Sequence, residues 1–485
     1  MTSNPFASAP QKSSEAPDQH GWIGSGKVGS GAGALEFIGG YPTEGTAAGL
    51  REVLAFNRAV EAFLSQMPIV SYYRVWKGVA EAYRGTANQI VIWETLMDAQ
   101  TLLLTGNTET VYGLAALDLK RDGPTVIEAP EMLLGGISDM SQHEITNIGP
   151  TGPDKGKGGK FLIVPPSHSG TPAQGYLTFK SPTYRAVLGV RGFLVDGKPD
   201  HAGALMRDAR IYPLSQAGDP PPQTFVNGSG QEIDTIFCDT YQFFDDLAAV
   251  VAYEPPQFIA PQHRFPLAGL GIDKHKPFKP NAERRVLLDK AARVGGAMAR
   301  VNSFASTDPE RIAYGDRRWE YAFIGGSASW NSEGYVNSDR RAAFAYIAIG
   351  MSPAMVEKIV GGGSQYLWTP RDATGAYLDG AKSYRLRLPA KIPVKNFWSV
   401  VVYDAESRSL LRNGQPFPSV SVYTNPATNP DRSVDIYFGR TAPQGREKNW
   451  IKTVPGKGWF PLLRFYGPLE PYFDKSWRPG DIEEL

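Results

Sequence analysis

Residues 396–404 read NFWSVVVYD, a run of large apolar side chains without helical spacing. Side chains of a β-strand point alternately to its two faces, so Trp398 and Tyr403, five positions apart, lie on opposite faces. The valines at 400 and 402 share the face of Trp398, and the residues at 397, 399 and 401 share the face of Tyr403. The segment therefore predicts a β-strand with an aromatic residue on each face.

Short strand-like runs recur on both sides of this segment and are bounded by turn-forming residues. They cover 161–164, 176–179, 186–190, 384–388, 434–438 and 462–466. Regularly spaced short strands with Gly and Pro between them are typical of antiparallel sandwiches and jelly rolls. We therefore predict two jelly-roll-like antiparallel β-sandwich lobes.

Helical spacing of apolar residues appears at the start and in the middle of the chain. It predicts an amphipathic helix at about 50–64 and a second at about 70–83. Asn281 and Ser338 are suitable N-caps for helices at 282–302 and 339–349. The predicted class is mainly β with helical segments (α+β), the two lobes being joined by a helical region.

The length of 485 residues exceeds what one hydrophobic core usually serves. We divide the chain into a disordered arm at 1–34, an N-terminal region of helices plus a sandwich at 35–237, a helical connection at 238–365 and a C-terminal sandwich at 366–485. The arm is rich in Ser, Gly, Ala and Pro and lacks periodic apolar positions.

Charge and hydropathy exclude several classes of partner. The formal net charge is +1, so no global field attracts nucleic acid, and the longest apolar runs, such as 247–251, are too short to span a bilayer. Neither nucleic acid nor membrane is expected as a partner. The first residues show no signal peptide, which predicts a cytoplasmic protein by default; a periplasmic or secreted location is the alternative if a signal was removed.

Sequence motifs for several mechanisms are incomplete. GWIGSGK at 21–27 resembles a phosphate-binding loop but continues with Val28 instead of Ser or Thr. The six histidines are scattered without metal-ligand spacing, so we expect no metal and no cofactor. No Gly-x-Ser-x-Gly elbow occurs. Cys238, the single cysteine, lies in an apolar stretch that predicts a buried structural thiol.

Polar residues within aromatic strand contexts remain as candidates. The predicted catalytic residues are Asp404, Tyr403 and Arg464, and the predicted substrate-binding residues are Tyr112, Asn107, Arg191 and Trp398. In one interpretation Asp404 pairs with Arg464 or opens a turn. In the other, Asp404, Tyr403 and Arg464 lie at the mouth of a pocket, where the carboxylate acts as a base and the guanidinium holds an anionic group.

The second interpretation favours a metal-independent hydrolase acting on a small ester, amide or glycan conjugate. The alternative is a non-catalytic protein that binds a carbohydrate or apolar ligand by stacking on Trp398 and Trp459. A structural homo-oligomer, whose edge strands are covered by partner subunits, is the third possibility. A small-molecule or glycan ligand and self-association are the expected partners.

From about residue 35 to its end, the chain resembles bacterial proteins that pair domain of unknown function 1254 with domain of unknown function 1214. The residues that carry the resemblance include PTEGTAAGLREVLAFNRAVEAFL, LDLKRDGPTVIEAP, SPTYRAVLGVRGF, LDGAKSYRLRLPAKIPVKNFWSVVVYD and EKNWIKTVPGKGWFPLLRFYGP. The resemblance implies jelly-roll-like β-sandwich domains and self-association, and it supplies no catalytic residues. Such proteins commonly have an aromatic residue where this chain reads SDMSQH at 138–143.

Overall fold

The computed structural model describes residues 25–30, 33–82, 88–171, 173–332 and 334–485. The strands of its first half are β1 (Gly26–Ser30), β2 (Gly33–Ile38), β3 (Tyr41–Pro42), β4 (Ile90–Ile92), β5 (Thr110–Asp118), β6 (Thr125–Ala129), β7 (Leu134–Asp139), β8 (Glu144–Ile148), β9 (Gly159–Val164), β10 (Leu177–Lys180), β11 (Arg185–Phe193), β12 (Arg210–Pro213) and β13 (Phe225–Asn227). Those of its second half are β14 (Glu320–Tyr321), β15 (Asn331–Ser332), β16 (Tyr335–Val336), β17 (Ser364–Trp368), β18 (Tyr384–Leu388), β19 (Val394–Asp404), β20 (Ser419–Ser421), β21 (Val434–Gly439), β22 (Trp450–Lys452), β23 (Trp459–Pro468) and β24 (Ile482–Glu484).

Helices lie before, between and after the strands. They are α1 (Glu44–Ala82), α2 (Leu119–Asp122), α3 (Asp200–Arg207), α4 (Gln242–Tyr253), α5 (Pro261–Gly269), α6 (Ala282–Phe304), α7 (Ser338–Ile347) and α8 (Glu470–Phe473). The chain is thus a mixed α+β protein, as the sequence predicted. No helix in the described part of the chain combines the length and apolar character needed to cross a membrane.

The first helix corrects one prediction. The sequence predicted two helices, at 50–64 and 70–83, but α1 continues through Pro68, and Tyr83 lies outside the described residues. A proline inside a helix costs about 3 kcal/mol because it removes one hydrogen bond and crowds the preceding turn. Pro68 and the residues around it are buried, and tertiary packing of this segment outweighs that cost.

The predicted helix starts in the middle of the chain are right for α6 and shifted for α7. The side chain of Asn281 accepts a hydrogen bond from the backbone N–H of Arg284, so it caps α6 as predicted. Asn337, not Ser338, caps α7 by accepting from the N–H of Arg340 at 3.1 Å. Both residue types are good N-caps, and only the local backbone decides between neighbours.

The N-terminal sandwich consists of a six-stranded sheet, in the order β13-β4-β5-β11-β7-β8, and a four-stranded sheet, in the order β10-β9-β6-β12. Alternate residues of the two sheets share one apolar core, which includes Ala115, Ile127, Phe161 and Leu188. Most pairs are antiparallel, but β9 pairs with β10 and β4 with β13 in parallel. The sequence predicted antiparallel sandwich lobes, and these two pairs depart from that prediction, because a strand pattern carries no information about direction.

The C-terminal sandwich repeats this arrangement with a five-stranded sheet, in the order β14-β17-β23-β19-β20, and a four-stranded sheet, in the order β22-β21-β18-β24. Leu386, Val400, Ile436 and Leu463 belong to the core between the sheets. β21 and β22 are parallel. Strand β14 lies within the predicted helical connection and adds an edge to this sheet by pairing with β17.

A third core lies between the two sandwiches. It combines apolar residues of α1, α4, α6 and α7 with the outer faces of both large sheets, represented by Leu114 of β5 and Val401 of β19. Val400 and Val401 therefore point into different cores, as the alternation along residues 396–404 predicts. The helical layer and the two large sheets enclose the space in which the candidate site lies.

The predicted N-terminal arm differs from the structure where it can be compared. Residues 1–24, 31 and 32 lie outside the described residues, and so does most of the phosphate-loop-like segment at 21–27. Strand β1 pairs with β2 in an antiparallel hairpin, so ordered structure begins before the predicted limit at residue 34. The backbone pairing between β1 and β2 forms this hairpin, and amino-acid composition alone does not predict such pairing.

Two glycines of α1 provide a matched test of the packing between this helix and the rest of the molecule. A Cβ atom on Gly78 would lie 2.4 Å from the backbone oxygen of Asp234, whereas one on Gly49 would meet no atom within 4 Å. Gly49→Ala should stabilise the protein by up to about 1 kcal/mol, because alanine favours the helix. Gly78→Ala should destabilise it by about 1–3 kcal/mol, because backbone must move. Thermal unfolding of the two variants checks this; equal shifts would contradict the packing.

Candidate functional site

A cavity lies where the helical layer meets the two large sheets. It offers about 770 Å³ of space not occupied by protein atoms, including open solvent at its mouth. Its floor is formed by β17 and β23, its roof by α6, α7 and residues 321–324, and its inner end by Thr105 and Tyr112 of the N-terminal half.

Strand alternation explains why β23 lines the cavity. Phe460, Leu462, Arg464 and Tyr466 occupy every second position of β23 and all face the cavity. The neighbouring strand β17 pairs in register and adds Tyr366 beside Arg464. The result is a mainly apolar wall with one guanidinium and several phenol groups at its inner end.

Arg464 is the only charged residue among the described residues that line this cavity, and it is 4% exposed. Nη2 donates to the backbone oxygens of Thr105 at 2.7 Å and Gly106 at 3.4 Å. Nη1 is buried without a hydrogen-bond partner in the described part of the molecule. A buried, unpaired donor on a charged group is energetically costly, so its presence beside a cavity indicates a place for an acceptor.

Tyrosine hydroxyl groups surround this guanidinium and are held by their own hydrogen bonds. Tyr403 donates to the backbone oxygen of Gly106 at 2.6 Å, and its ring lies 5.7 Å from the Cζ atom of Arg464. Asn107 Nδ2 donates to the hydroxyl of Tyr466 at 2.7 Å. Asn107 and Tyr403 thus position the inner end of the cavity without lining it.

Burial and mutual contact set the charge of these groups. Burial raises the pKa of Tyr403 and of Tyr466, against the opposing effect of Arg464, so both phenols stay neutral near pH 7. Burial disfavours the charge of Arg464, but the surrounding tyrosines, Tyr403 first, outweigh it and hold the pKa of the guanidinium above its ordinary value. The inner end therefore carries a permanent positive charge.

Arg191 adds a second guanidinium beside the same phenols. It lies opposite Tyr112 in the β5–β11 register, and its Cζ atom is 6.0 Å from the ring of Tyr466. Tyr366, Tyr112 and Tyr466 offset the effect of burial and raise its pKa. Among the described residues, neither Arg191 nor Arg464 has a carboxylate within 4 Å; the buried carboxylate of Glu109 accepts instead from the hydroxyl of Thr108.

Asp404 lies away from this cavity. Its Oδ1 accepts from the backbone N–H groups of Glu406 at 2.6 Å and Ser407 at 3.2 Å, and its Oδ2 pairs with Lys457 Nζ at 3.2 Å. It pairs in register with Trp459, whereas Arg464 pairs with Ser399 at the other end of the ladder. Asp404 therefore opens a turn, and the predicted meeting of Asp404 with Arg464 is wrong because their strand positions keep them apart.

Trp398 is also outside the cavity. It is 6% exposed and packs in the core of the C-terminal sandwich, on the opposite face of β19 from Tyr403. Trp459, the other aromatic residue predicted to stack on a ligand, is 2% exposed in the same core. Their rings are covered by the second sheet and have no free face for a sugar.

Of the seven predicted site residues, Tyr112 and Arg464 line the cavity, and Tyr403, Asn107 and Arg191 contact its inner end. Sequence reasoning missed Tyr366, Tyr466 and the aromatic roof residue Phe344. Arg464 was selected as a polar residue in an aromatic strand context, and period-two alternation from Arg464 could have added Tyr466. Nothing in a single sequence relates α7 to β23. In the described ranges, no three His, Cys, Asp or Glu side chains cluster as metal ligands.

Two regions of the chain match protein families, and both regions contribute residues at the cavity. Residues 87–213 match the model of a protein of unknown function, DUF1254, and residues 363–470 match that of another, DUF1214. Asn107, Tyr112 and Arg191 lie in the first region, and Tyr403 and Arg464 in the second. None of the curated proteins matches this chain.

Two solved structures are similar to this one. The VPA0106 protein from Vibrio parahaemolyticus has a TM-score of 0.56 and 18% sequence identity, with 89% of this chain and 100% of that chain covered. An uncharacterised protein from Burkholderia cenocepacia has a TM-score of 0.42 and 11% identity, with 91% and 97% covered. At this identity the first comparison shows the fold alone.

The turn at Asp404 leads to a graded prediction. Asp404→Ala removes the acceptor of two backbone N–H groups and should lower the free energy of unfolding by about 1–2 kcal/mol. Asp404→Asn keeps an Oδ1 acceptor and loses only the half-exposed pair with Lys457, which costs below about 1 kcal/mol. Thermal melting should therefore rank Asp404→Ala below Asp404→Asn and wild type. Unchanged melting of both variants would contradict the structural role.

Proposed function

This chain pairs a DUF1254 region with a DUF1214 region, and we propose that the two together bind an anionic amphiphile, a molecule with an apolar body and one carboxylate group. The apolar body lies against Phe344, Leu462 and the other apolar residues of the cavity. The carboxylate accepts from the unpaired Nη1 of Arg464, at the inner end.

One observation carries this proposal: Arg464, whose buried Nη1 has no hydrogen-bond partner among the described residues, lines an apolar cavity. Leaving such a donor without an acceptor costs about 1–3 kcal/mol or more, since the group is charged. A carboxylate supplies the acceptor and the opposite charge together. Binding in a site of low polarity strengthens both interactions.

Hydrolysis of an ester or amide, favoured by the sequence, is less well supported. Such a reaction needs a base within hydrogen-bond reach of the attacking group. Asp404 is held in a turn elsewhere, and the described lining residues include neither carboxylate nor imidazole. The hydroxyl of Ser303, which lines the cavity, donates to the backbone oxygens of Ala299 and Ala343.

Carbohydrate binding loses its two predicted stacking residues, because Trp398 and Trp459 are core residues. The sequence-based alternative was a non-catalytic protein that binds either a carbohydrate or an apolar ligand. Of these two ligands, the apolar one agrees better with the apolar cavity wall. Self-association stays a prediction, independent of the ligand.

The proposal predicts that wild-type protein distinguishes a carboxylate from an alcohol of the same chain length. Decanoate should bind about 10–100 times more tightly than decanol, because a hydrogen bond to a charged group contributes about 1.5–3 kcal/mol. In Arg464→Met this preference should disappear. Isothermal titration calorimetry with each ligand measures the ratio, which stays informative even if the variant is less stable.

Arg387→Met is the matched control for this experiment. Arg387 lies on β18 and is exposed, with Asp431 and Asp435 as its ion-pair partners, so its loss should leave the preference unchanged. Recovery of chemically intact ligand is expected. Equal affinity of wild type for decanoate and decanol would exclude the proposal, and release of alcohol from a decanoate ester would favour the hydrolase.

A further inference from the structure

A second hollow adjoins the cavity and shares one wall with it. It encloses about 900 Å³ on the same measure, and Tyr321, Phe323, Met355 and Tyr366 line both spaces. These shared side chains lie between the two spaces, and Arg464 lines only the first cavity.

Charged residues in the second hollow differ from Arg464 in being paired. Lys358 Nζ lies 2.6 Å from Glu470, and Glu310 lies 3.0 Å from Arg340 Nη2. A paired charge at a partly exposed position attracts an anion weakly. An anionic group that enters through the second hollow is therefore most strongly bound at the inner end, with its apolar part trailing behind.

We infer that the two hollows form one path and that the ligand is a long-chain carboxylate, whose head group lies at Arg464 and whose tail passes Tyr321, Phe323, Met355 and Tyr366 into the second hollow. This inference rests on the proposed function and extends it to a ligand class. Met355 is suited to the shared wall, because an unbranched thioether adapts to a chain that passes beside it.

If the tail lies in the second hollow, the binding affinity should depend on the chain length of the acid. Each methylene that leaves water for an apolar site increases affinity by about fourfold. A short acid fits within the first cavity, so its affinity depends on Arg464 and on the apolar wall of that cavity but not on the second hollow. A long acid gains additional affinity only if its tail enters the second hollow.

The experiment uses hexanoate, decanoate and tetradecanoate with the full chain, each titrated below its micelle-forming concentration. Wild type should bind tetradecanoate many-fold more tightly than decanoate, with about fourfold per methylene as the upper limit. Val356 lines only the second hollow, and Val356→Trp fills part of it. This variant should lose most of the gain from decanoate to tetradecanoate and bind hexanoate within about twofold of wild type. Val286→Trp, at a 69% exposed position of α6, is the matched control and should behave as wild type.

The outcomes separate this inference from the proposed function. If tetradecanoate binds wild type no more tightly than decanoate while Arg464→Met still abolishes the preference for acids, the path is wrong and the anion site stands. If Val356→Trp weakens hexanoate and tetradecanoate equally, the second hollow does not hold the tail. If no acid is bound in an Arg464-dependent manner, the proposed function fails as well.

Discussion

Burial of both faces of one sheet is the constraint on which the rest of the structure depends. Strands β19 and β23 lie between the core of the C-terminal sandwich and the core of the helical layer, so every position along them must be satisfied in one core or the other. Val400 and Leu463 pack in the first core, and Val401 and Leu462 in the second. Apolar residues meet this requirement easily. Arg464 does not: its Nη2 donates to the backbone oxygens of residues 105 and 106, and its Nη1 has no hydrogen-bond partner among the described residues. The side chain is tolerated because these oxygens accept from it and because it lines the cavity.

The inner end of the cavity depends on contacts between the two halves of the chain. Thr105 and Gly106, which accept from Arg464, and Asn107, which donates to Tyr466, precede β5 of the N-terminal lobe. Phe193 of β11 packs against Tyr466 at 6.3 Å between ring centres. Neither lobe alone would hold the guanidinium and the phenols in this arrangement.

Position along a strand decided which polar residues became part of the site. Asp404 ends β19, where backbone N–H groups of the following turn are free to donate to its carboxylate. Arg464 lies in the middle of β23, where neighbouring backbone groups are already used in the sheet. A polar side chain at a strand end is satisfied locally, whereas one in the middle must find a partner across a core or a cavity.

The sequence by itself determined the elements and their faces. Alternation in 396–404 assigned Trp398 and Tyr403 to opposite faces, and helical spacing with Asn281 as a cap located α6, because these patterns depend on local backbone geometry. The resemblance to the two families was likewise visible in sequence. Only the tertiary structure decided that Arg464 meets Tyr112 while Asp404 does not, that β9 and β10 are parallel, and that α7 covers β23. The choice of such contacts is made by packing of whole layers, about which a local pattern carries no information.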